Sequence, residues 1–375
     1  MPAMIRLSKS VIGSEERQAV DRVLAAEFLG TGPETQAFEQ ELAAYWGGGV
    51  QVVCVNTGTA ALHLALQACG SDAGDEVLVP SLTYVASFQA IAAAQAVPVA
   101  CEVDPETGLL DLHDALHRLT PRTRALMPVH YASSVGDLAG YYDFARRHGL
   151  RVIEDAAHAF GCTFQGTKIG AQGDVVCFSF DGIKNITSGE GGAVVTRDAE
   201  VAARVRDARL LGVMHDSELR YRRERSWEFD VAEAGWRYHM SDLMAAIGRV
   251  QLRRFEPEFR PRRIALARRY RDQLASLPQL RLFASDLGPV TPHIMPVRIL
   301  QGRRDAVRQA LADAGVGTGI HYKPNHLLTR FRSPAPLPRT EALYQELLSL
   351  PLHPDLAFEQ IDQIVSLVRK ELQRP

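Results

Sequence analysis

No apolar run in this 375-residue sequence reaches the roughly 18 residues that a membrane-spanning helix needs. The N-terminus also lacks the charged and then apolar segment of a secretory signal. Neither sign of charge dominates, because 42 lysines and arginines face 44 aspartates and glutamates, a formal net charge of −2. Such a balance gives no overall field toward nucleic acid or an anionic membrane. We therefore expect a soluble, cytoplasmic protein whose partners are small molecules, not nucleic acids or membranes.

Cysteine is scarce, with five residues at positions 54, 69, 101, 162 and 177. Their number is odd, their spacing is scattered, and no C-x-x-C pair occurs. Three of them lie in apolar, strand-like runs. We interpret them as reduced thiols of the core.

Short apolar, β-branched runs alternate with helical patterns from Val52 to about Val195. The runs are VVCV, EVLVP, VPVACEV, RALMPV, RVIED, DVVCFSF and GGAVVT. This alternation predicts an α/β fold with a seven-stranded, mostly parallel sheet covered by helices on both faces. Ahead of it, Ser14 followed by two glutamates predicts a capped helix start, so the N-terminal segment is expected to be an arm or outer helix.

After Thr196 the pattern becomes helical and arginine-rich through RRFEPEFRPRRIALARRYRDQL, which indicates a long connecting helix. Two strand-like pieces, HIMPVRI and VGTGIHY, then alternate with helices. We predict a large α/β domain over 1–252 and a smaller α+β domain over 253–375. The segment GCTFQGTK resembles a phosphate-binding loop, but its order is Gly-Thr-Lys, so a hairpin is the better interpretation.

Two predicted strands end in residues suited to binding an anion or a cation. In NTGTAALHLAL a strand ends at Val55 and a helix begins near Thr59, where free amides and the helix dipole favour a phosphate and Gly58 permits close approach. In RVIEDAAHAFG a strand delivers Asp155 at its carboxyl end, where open sheets build their sites. The ordinary alternatives are a simple strand-to-helix turn, a helix-capping Asp155 and a structural His158.

The stretch FSFDGIKNITSGEGG places Ser179 at a strand end and Lys184 five residues later. A free lysine titrates near about 10.4, so a nucleophilic lysine needs dry or cationic surroundings. A position after a buried strand can provide them, whereas a solvated surface lysine is the ordinary alternative.

The helix start, the carboxylate and the lysine all fall at one edge of the predicted sheet. These are the three groups that hold pyridoxal phosphate: the lysine as a Schiff base, the carboxylate at the pyridine nitrogen and the helix start at the phosphate. Tyr84, after EVLVP, is placed to stack on the ring. The sequence therefore predicts a pyridoxal-phosphate site.

Eight stretches together resemble the DegT/DnrJ/EryC1/StrS family of pyridoxal-phosphate-dependent sugar aminotransferases. They are FLGTGPETQAFEQELAAYWG, NTGTAALHLAL, DEVLVPSLTYVAS, VIEDAAHAFG, FSFDGIKNITSGEGGAVVT, YHMSDLMAAIGRVQL, GIHYKPNHL and LSLPLHPDL. The resemblance implies the type I aspartate aminotransferase fold. It also implies that glutamate, or another amino acid, converts the cofactor to pyridoxamine phosphate, which then aminates a nucleotide-linked keto-deoxysugar.

The resemblance also implies a role for each matching residue. Lys184 is expected to be the catalytic residue that holds the cofactor and moves the proton, and Asp155 the partner of the pyridine nitrogen. Gly58, Thr59 and Ser179 correspond to the phosphate positions and Tyr84 to the ring-stacking one. His158 stands where many relatives have a glutamine that contacts the ring oxygen.

Two positions depart from the family pattern. Arg237, in GWRYHM, stands where relatives carry an asparagine that reaches the partner subunit's phosphate, which arginine can also bind. Asp181 stands where relatives often have histidine or tyrosine touching the sugar. His321 and Tyr322, in GIHYKPNHL, are further candidates for sugar contacts. Two histidines in that segment are too few for a metal site, and we predict no metal.

The resemblance implies a homodimer with its active site at the subunit interface, acting in amino-sugar and surface-polysaccharide biosynthesis such as that of lipopolysaccharide O-antigen. Amination at C4 is favoured over C3. The segment RYRRERSW, 220–227, is a candidate for a nucleotide diphosphate or else a solvated face. The alternatives are a pyridoxamine-dependent sugar dehydratase, which would carry histidine in place of Lys184, a non-catalytic regulatory protein that binds the cofactor, and a cofactor-free structural protein.

Overall fold

The computed structural model describes residues 4–224 and 227–374. Its central sheet has seven strands, as the sequence predicts, in the order β1-β9-β8-β5-β4-β2-β3. These strands are β1 Gln51–Val55, β2 Glu76–Pro80, β3 Val97–Cys101, β4 Thr123–Leu126, β5 Arg151–Asp155, β8 Val175–Ser179 and β9 Gly192–Thr196. A small hairpin, β6 Thr163–Phe164 and β7 Thr167–Lys168, confirms the interpretation of GCTFQGTK.

The middle of the sheet is parallel and one end is antiparallel. Strands β5, β4, β2 and β3 pair in parallel, and β8 joins β5 with Asp155 opposite Cys177. Strand β9 runs antiparallel to both β8 and β1. The carboxyl ends of β1, β2, β4, β5 and β8 therefore share one edge.

Helices cover both faces of this sheet, as predicted. The helices are α1 Ser14–Ala25, α2 Pro33–Tyr45, α3 Gly58–Ala68, α4 Val85–Ala93, α5 Leu112–His117, α6 Leu138–His148, α7 Ala199–Ala208, α8 Asp216–Tyr221, α9 Asp242–Arg254, α10 Arg260–Leu274, α11 Arg304–Asp313, α12 Pro338–Glu346 and α13 Phe358–Leu372. Side chains alternate along each strand: Val53 and Val55 pack under α3, α4 and α7, whereas Val52 and Cys54 pack against α2 and α9. The strands read as continuous apolar runs because both of their faces are buried.

The C-terminal part has its own three-stranded antiparallel sheet and its own core. The strands are β10 Leu280–Leu282, β11 Met295–Ile299 and β12 Leu347–Leu350. The piece HIMPVRI becomes β11, but the prediction of a strand in VGTGIHY is wrong. There Val316 and Gly319 form only isolated bridges, one to Ile5 of the N-terminal arm and one to Ser349. The predicted division at Leu252 falls inside α9, which continues through one π-helical turn into α10.

Two local predictions near the N-terminus and in the core can be compared with the structure. Helix α1 is present, but its N-cap is Gly13, whose amide donates to the Glu16 carboxylate at 2.7 Å, and not Ser14. The five cysteines are all free thiols, and four of them are buried. Within the described ranges no helix is both long and apolar enough to cross a bilayer.

Candidate active site

A cavity of about 410 Å³ opens at the carboxyl edge of the central sheet. Loops after β1, β2, β5 and β8 form its floor, and the loop at His321 from the C-terminal part closes one side. All of the predicted site residues except Arg237 line it: Gly58, Thr59, Tyr84, Asp155, His158, Ser179, Asp181, Lys184, His321 and Tyr322. Residues that lie up to 264 positions apart in the chain, from 58 to 322, thus meet at one site.

The start of α3 forms one end of the cavity. Thr57 is the N-cap residue, and its hydroxyl accepts a hydrogen bond from the Ala60 amide at 3.0 Å. A Cβ on Gly58 would lie 2.7 Å from Ser179 Cβ, so only glycine lets the helix start approach β8 this closely. The remaining first-turn amides and the helix dipole favour an anion such as phosphate.

Asp155 is 5% exposed and stands at the end of β5. Ser87 Oγ on α4 donates to its Oδ2 at 2.7 Å, and the Ala157 amide donates to its Oδ1 at 3.2 Å. The Ser87 hydroxyl is held in turn by Thr83 Oγ1 at 2.9 Å. Two fixed donors orient the carboxylate without neutralising it, so it remains an acceptor for a cationic group in the cavity.

Lys184 is half-buried in the turn between β8 and β9, where its amide donates to the Asp181 carbonyl at 3.0 Å. Burial lowers the pKa of its amine to about 8, while the charges of Asp155 and Asp181 act in the opposite direction. About a tenth of the amine is therefore uncharged at pH 7, far more than in a free lysine, and the uncharged form is the nucleophile. The amine also lies 3.4 Å from His293 Nε2.

His158 is buried beneath the cavity. Its Nε2 lies 3.0 Å from the Tyr322 hydroxyl, and its Nδ1 has no hydrogen-bond partner among the described residues. Burial, together with the charge of Lys184, lowers the pKa of His158 well below its usual value, so the ring is neutral. The centroid of the Tyr322 ring in turn lies 5.6 Å from that of Tyr84, a residue that is 59% exposed.

His321 brings the C-terminal sheet to the site. Its Nδ1 lies 2.8 Å from Ser349 Oγ on β12, and its carbonyl accepts a hydrogen bond from the Tyr131 hydroxyl at 2.5 Å. Burial and the charge of Lys184 lower the pKa of His321 to about 4. The imidazole is therefore a neutral hydrogen-bonding group at physiological pH.

Two carboxylates also line the cavity. Burial and the neighbouring Asp181 raise the pKa of Glu190 above its usual value. Asp181 is itself fixed by backbone contacts, with its amide donating to Ser179 Oγ at 3.3 Å and its Oδ1 accepting from the Ile183 amide at 3.2 Å. This part of the cavity offers hydrogen-bond acceptors to a ligand that carries hydroxyl groups.

Arg237 is exposed and does not line the cavity of its own chain. It lies in the segment between α8 and α9, where its carbonyl accepts a hydrogen bond from the Asn56 side chain at 3.4 Å. In RYRRERSW, residues 225 and 226 lie outside the described ranges. Arg220 in that segment already pairs with Asp216 at 2.6 Å, so it is not a free cation in this chain.

Three residues at the site were missed by the sequence reasoning: Ser87, Glu190 and His293. Glu190 stands within the SGEGG stretch, so its nearness to Lys184 in sequence was a usable signal. Ser87 and His293 reach Asp155 and Lys184 from other elements. No spacing in the sequence marks them.

The residues present fit pyridoxal phosphate. The cavity contains an anion seat at α3, an oriented carboxylate, a lysine with a lowered pKa and an exposed tyrosine ring. The unpartnered Nδ1 of buried His158 is a further polar atom suited to a ligand. Together these groups are suited to the phosphate, the ring and the aldehyde of one cofactor.

Comparison with known proteins gives the same result. The sequence profile of the DegT/DnrJ/EryC1/StrS aminotransferase family matches residues 10–369. The aminotransferase TlmJ from Streptoalloteichus hindustanus is 36% identical, with a TM-score of 0.91 over 98% of this chain and 99% of that one. DesI, solved in the presence of its TDP-sugar product, is 31% identical, with a TM-score of 0.87 over 100% of this chain and 93% of its own.

A third similar structure bears on the cofactor. The sugar aminotransferase Spr1654 from Streptococcus pneumoniae, described as putative, has been solved in a PLP form and a PMP form. Its PLP form is 28% identical to this chain, with a TM-score of 0.91 over 99% of both chains. The chain therefore belongs to the DegT/DnrJ/EryC1/StrS aminotransferase family and is a pyridoxal-phosphate-dependent aminotransferase whose cofactor cycles with pyridoxamine phosphate.

Proposed function

We propose that the protein transfers an amino group from glutamate to a nucleotide-linked keto-deoxysugar, at C4 rather than C3, to make an amino sugar for a surface polysaccharide. The observation that carries the proposal is the placement of Lys184, with its lowered pKa, in one cavity with Asp155 and the start of α3. The similar structure of DesI, solved in the presence of its TDP-sugar product, supports a nucleotide-sugar substrate. The choice of C4 follows the family resemblance alone.

Lys184 is the proposed catalytic residue. Pyridoxal phosphate, when bound, would supply an electron sink that acidifies hydrogens on the two carbons joined by the transferred nitrogen. The amine of Lys184 is the group that moves a proton between the cofactor carbon and the substrate carbon, which requires an uncharged fraction of the amine near neutral pH. Burial of the lysine provides this property.

The other cavity residues are proposed to orient the two ligands. The α3 start, with Gly58, Thr59 and Ser179, holds the phosphate, and Asp155 keeps the pyridine nitrogen protonated. Tyr84 stacks on the ring, while His158 donates to the ring oxygen through whichever nitrogen carries its proton. Asp181, His321 and Tyr322 line the cavity and are the residues proposed to face the sugar. They accept hydrogen bonds from its hydroxyl groups or donate hydrogen bonds to them.

We further propose that the active protein is a cytoplasmic homodimer with Arg237 reaching the phosphate in the partner's site. The exposed position of Arg237 outside its own cavity supports this arrangement. A groove lined by Val20, Leu24 and Gly189 lies beside the turn between β8 and β9 that carries Lys184, and Leu24 is 51% exposed there. This exposed apolar residue also supports the proposed dimer. Five free thiols fit a reducing compartment.

The proposal is tested by incubating the cofactor-loaded protein with ¹⁵N-glutamate and either TDP-4-keto-6-deoxyglucose or its 3-keto isomer. We expect mass spectrometry to detect a sugar nucleotide in which ¹⁵N-labelled amine has replaced the ketone oxygen, formed from the 4-keto substrate. Lys184→Ala should abolish the product. Lys370→Ala, at an exposed position on α13, is the matched control and should leave the rate unchanged.

Product from the 3-keto sugar alone would overturn the C4 assignment and keep the aminotransferase. Loss of a sugar hydroxyl group without gain of nitrogen would indicate a dehydratase. If a broad panel of keto-sugar nucleotides gives no labelled product with cofactor-loaded protein, nucleotide sugars are not the substrates.

A further inference from the structure

The amine of Lys184 has one hydrogen-bond partner among the described residues. That partner lies in the segment that leads into the three-stranded C-terminal sheet. His293 precedes β11, and its Nε2 lies 3.4 Å from Lys184 Nζ. The side chain of His293 is buried, at 3% exposure of the residue. Asp155 and Asp181 also favour the ammonium form, but they do so through charge and form no hydrogen bond with it.

The backbone of His293 is fixed on both sides. Its amide donates to Ser133 Oγ at 3.0 Å, and the same hydroxyl donates to the His158 carbonyl at 2.5 Å. Its carbonyl accepts from the buried Arg263 side chain of α10 at 3.2 Å. One serine hydroxyl thus joins the two histidine segments, and the imidazole has little freedom to move.

The ring of His293 is suited to accept a hydrogen bond. It packs against the His158 ring, with centroids 4.4 Å apart and planes at 50°, and both residues are buried. Its Nδ1 has no partner among the described residues, so Nε2 is the atom that it offers to a neighbour. Burial and the charge of Lys184 lower the pKa of His293, which keeps the ring neutral. A neutral imidazole with its proton on Nδ1 accepts from an ammonium group.

We propose that His293 is a positioning residue that accepts a hydrogen bond from the Lys184 amine and holds it at the cavity wall whenever the amine is not bonded to the cofactor. The inference rests on the proposed function, because it assumes that Lys184 moves the proton. The amine is released and used again in each half of the exchange. An acceptor fixed by two backbone contacts returns it to the same place each time.

Two substitutions separate the hydrogen bond from the packing. His293→Phe keeps an aromatic ring against His158 and removes the acceptor. His293→Gln loses the ring and places an amide oxygen at about the reach of Nε2. His353→Phe is the matched control, because His353 is also buried with an unpartnered Nδ1 and does not line the cavity.

The primary readout is the titration of Lys184 in the cofactor-free protein, measured by competitive labelling with acetic anhydride and mass spectrometry of the Lys184 peptide at a series of pH values. Asp155, Asp181, His158 and His321 also face the amine and are unchanged in every variant. Loss of an acceptor for the ammonium form should move the labelling midpoint of His293→Phe down by about one pH unit. His293→Gln should restore it, and His353→Phe should leave it unchanged.

The second readout is the kinetics of the loaded enzyme. We expect kcat of His293→Phe to fall roughly tenfold to a hundredfold with KM for glutamate little changed, because a misplaced base slows the proton transfer and not the binding. His293→Gln should recover much of the loss.

A His293→Phe protein with the wild-type midpoint and the wild-type kcat would overturn the inference and leave His293 as a packing residue. If His293→Phe does not fold, His293→Gln and His293→Asn carry the test, since the shorter amide cannot reach the amine and equal midpoints would refute the hydrogen bond. Full turnover by Lys184→Ala would instead refute the proposed function, which is a distinguishable result.

Discussion

In its proposed role, Lys184 must meet two requirements that conflict in water: it must be uncharged enough to attack an aldehyde, and it must sit in a cavity that also binds an anion. Burial meets the first requirement by lowering the pKa of the amine to about 8. The second is met at the α3 start by backbone amides, which carry no titratable charge that would lower the lysine pKa further. The carboxylates of Asp155 and Asp181 limit the shift.

The pKa of Lys184 leads to a prediction about cofactor capture. Only the uncharged amine attacks the aldehyde, so the initial rate of pyridoxal-phosphate uptake by the cofactor-free protein should rise with pH and level off above a midpoint near 8. Stopped-flow absorbance at a series of pH values measures it. The control is a lysine side-chain analogue free in solution, whose reaction should keep rising toward its own pKa of about 10.4. A protein midpoint near that of the analogue would contradict the lowered pKa.

Among the individual site residues, the sequence predicts those that stand at or just after strand ends. It misses those that reach the site from other helices or from the C-terminal part. Asp155 and Ser179 end strands of one sheet, so their meeting at its carboxyl edge follows from the βαβ pattern. Ser87 and His293 act only through the packing of α4 and of the C-terminal sheet. Their side chains carry no local pattern, so sequence reasoning from one chain does not find them.

The close approach of helix α3 to strand β8 depends on Gly58, which has no side chain. Gly58→Ala would place a Cβ 2.7 Å from Ser179 Cβ and 3.0 Å from its Oγ, in the middle of the predicted phosphate seat. We expect the free energy of unfolding to fall by about 1–3 kcal/mol, as for other overpacked sites, and the affinity for pyridoxal phosphate to fall with it. Urea denaturation and cofactor titration measure the two effects.

The matched control for Gly58→Ala is Gly30→Ala. A Cβ at Gly30 would meet nothing within 4 Å, and its backbone is not in the left-handed region. It should therefore retain wild-type cofactor affinity. If Gly58→Ala binds the cofactor as tightly as Gly30→Ala does, the first turn of α3 is not where the phosphate lies.

The elements that the sequence predicts are those with a regular period. Every one of the seven apolar runs becomes a strand of the central sheet, because two covered faces leave an uninterrupted apolar signal. The segment VGTGIHY gives a similar signal but forms no strand. At Gly317 an added Cβ would lie 3.3 Å from the Ile5 carbonyl oxygen, so the segment packs closely on the N-terminal arm there, and Val316 and Gly319 pair singly with different neighbours. That packing depends on residues more than 300 positions away, which no local pattern contains.

In the whole chain, the cavity lies where the two sheets meet. The central sheet supplies the residues proposed to hold the cofactor, and the C-terminal part supplies His293, His321 and Tyr322. Chemistry at Lys184 therefore depends on how the two parts pack. The sequence predicts both parts, but it does not predict that the C-terminal one contacts the lysine.

The proposed exchange of Arg237 between subunits can be tested by mixing two inactive variants. Lys184→Ala lacks the proposed base, and Arg237→Glu places a negative charge where the partner's phosphate is expected. In a mixed dimer one site combines the intact Lys184 of one chain with the intact Arg237 of the other. Random exchange should therefore restore roughly a quarter of wild-type activity, because half of the dimers are mixed and each has one complete site.

Restoration on mixing requires that Arg237 act across the interface, because two defects within one chain's own site cannot complement each other. Light scattering should show a dimer for both variants before they are mixed. Mixed dimers can be formed by mild unfolding and refolding and then isolated with two affinity tags. Their activity does not depend on how completely the two variants exchange chains. If isolated mixed dimers are inactive while each tagged wild-type protein is active, Arg237 serves its own chain. The exposed arginine would then have to move toward the α3 start, beside Asn56, to reach the phosphate.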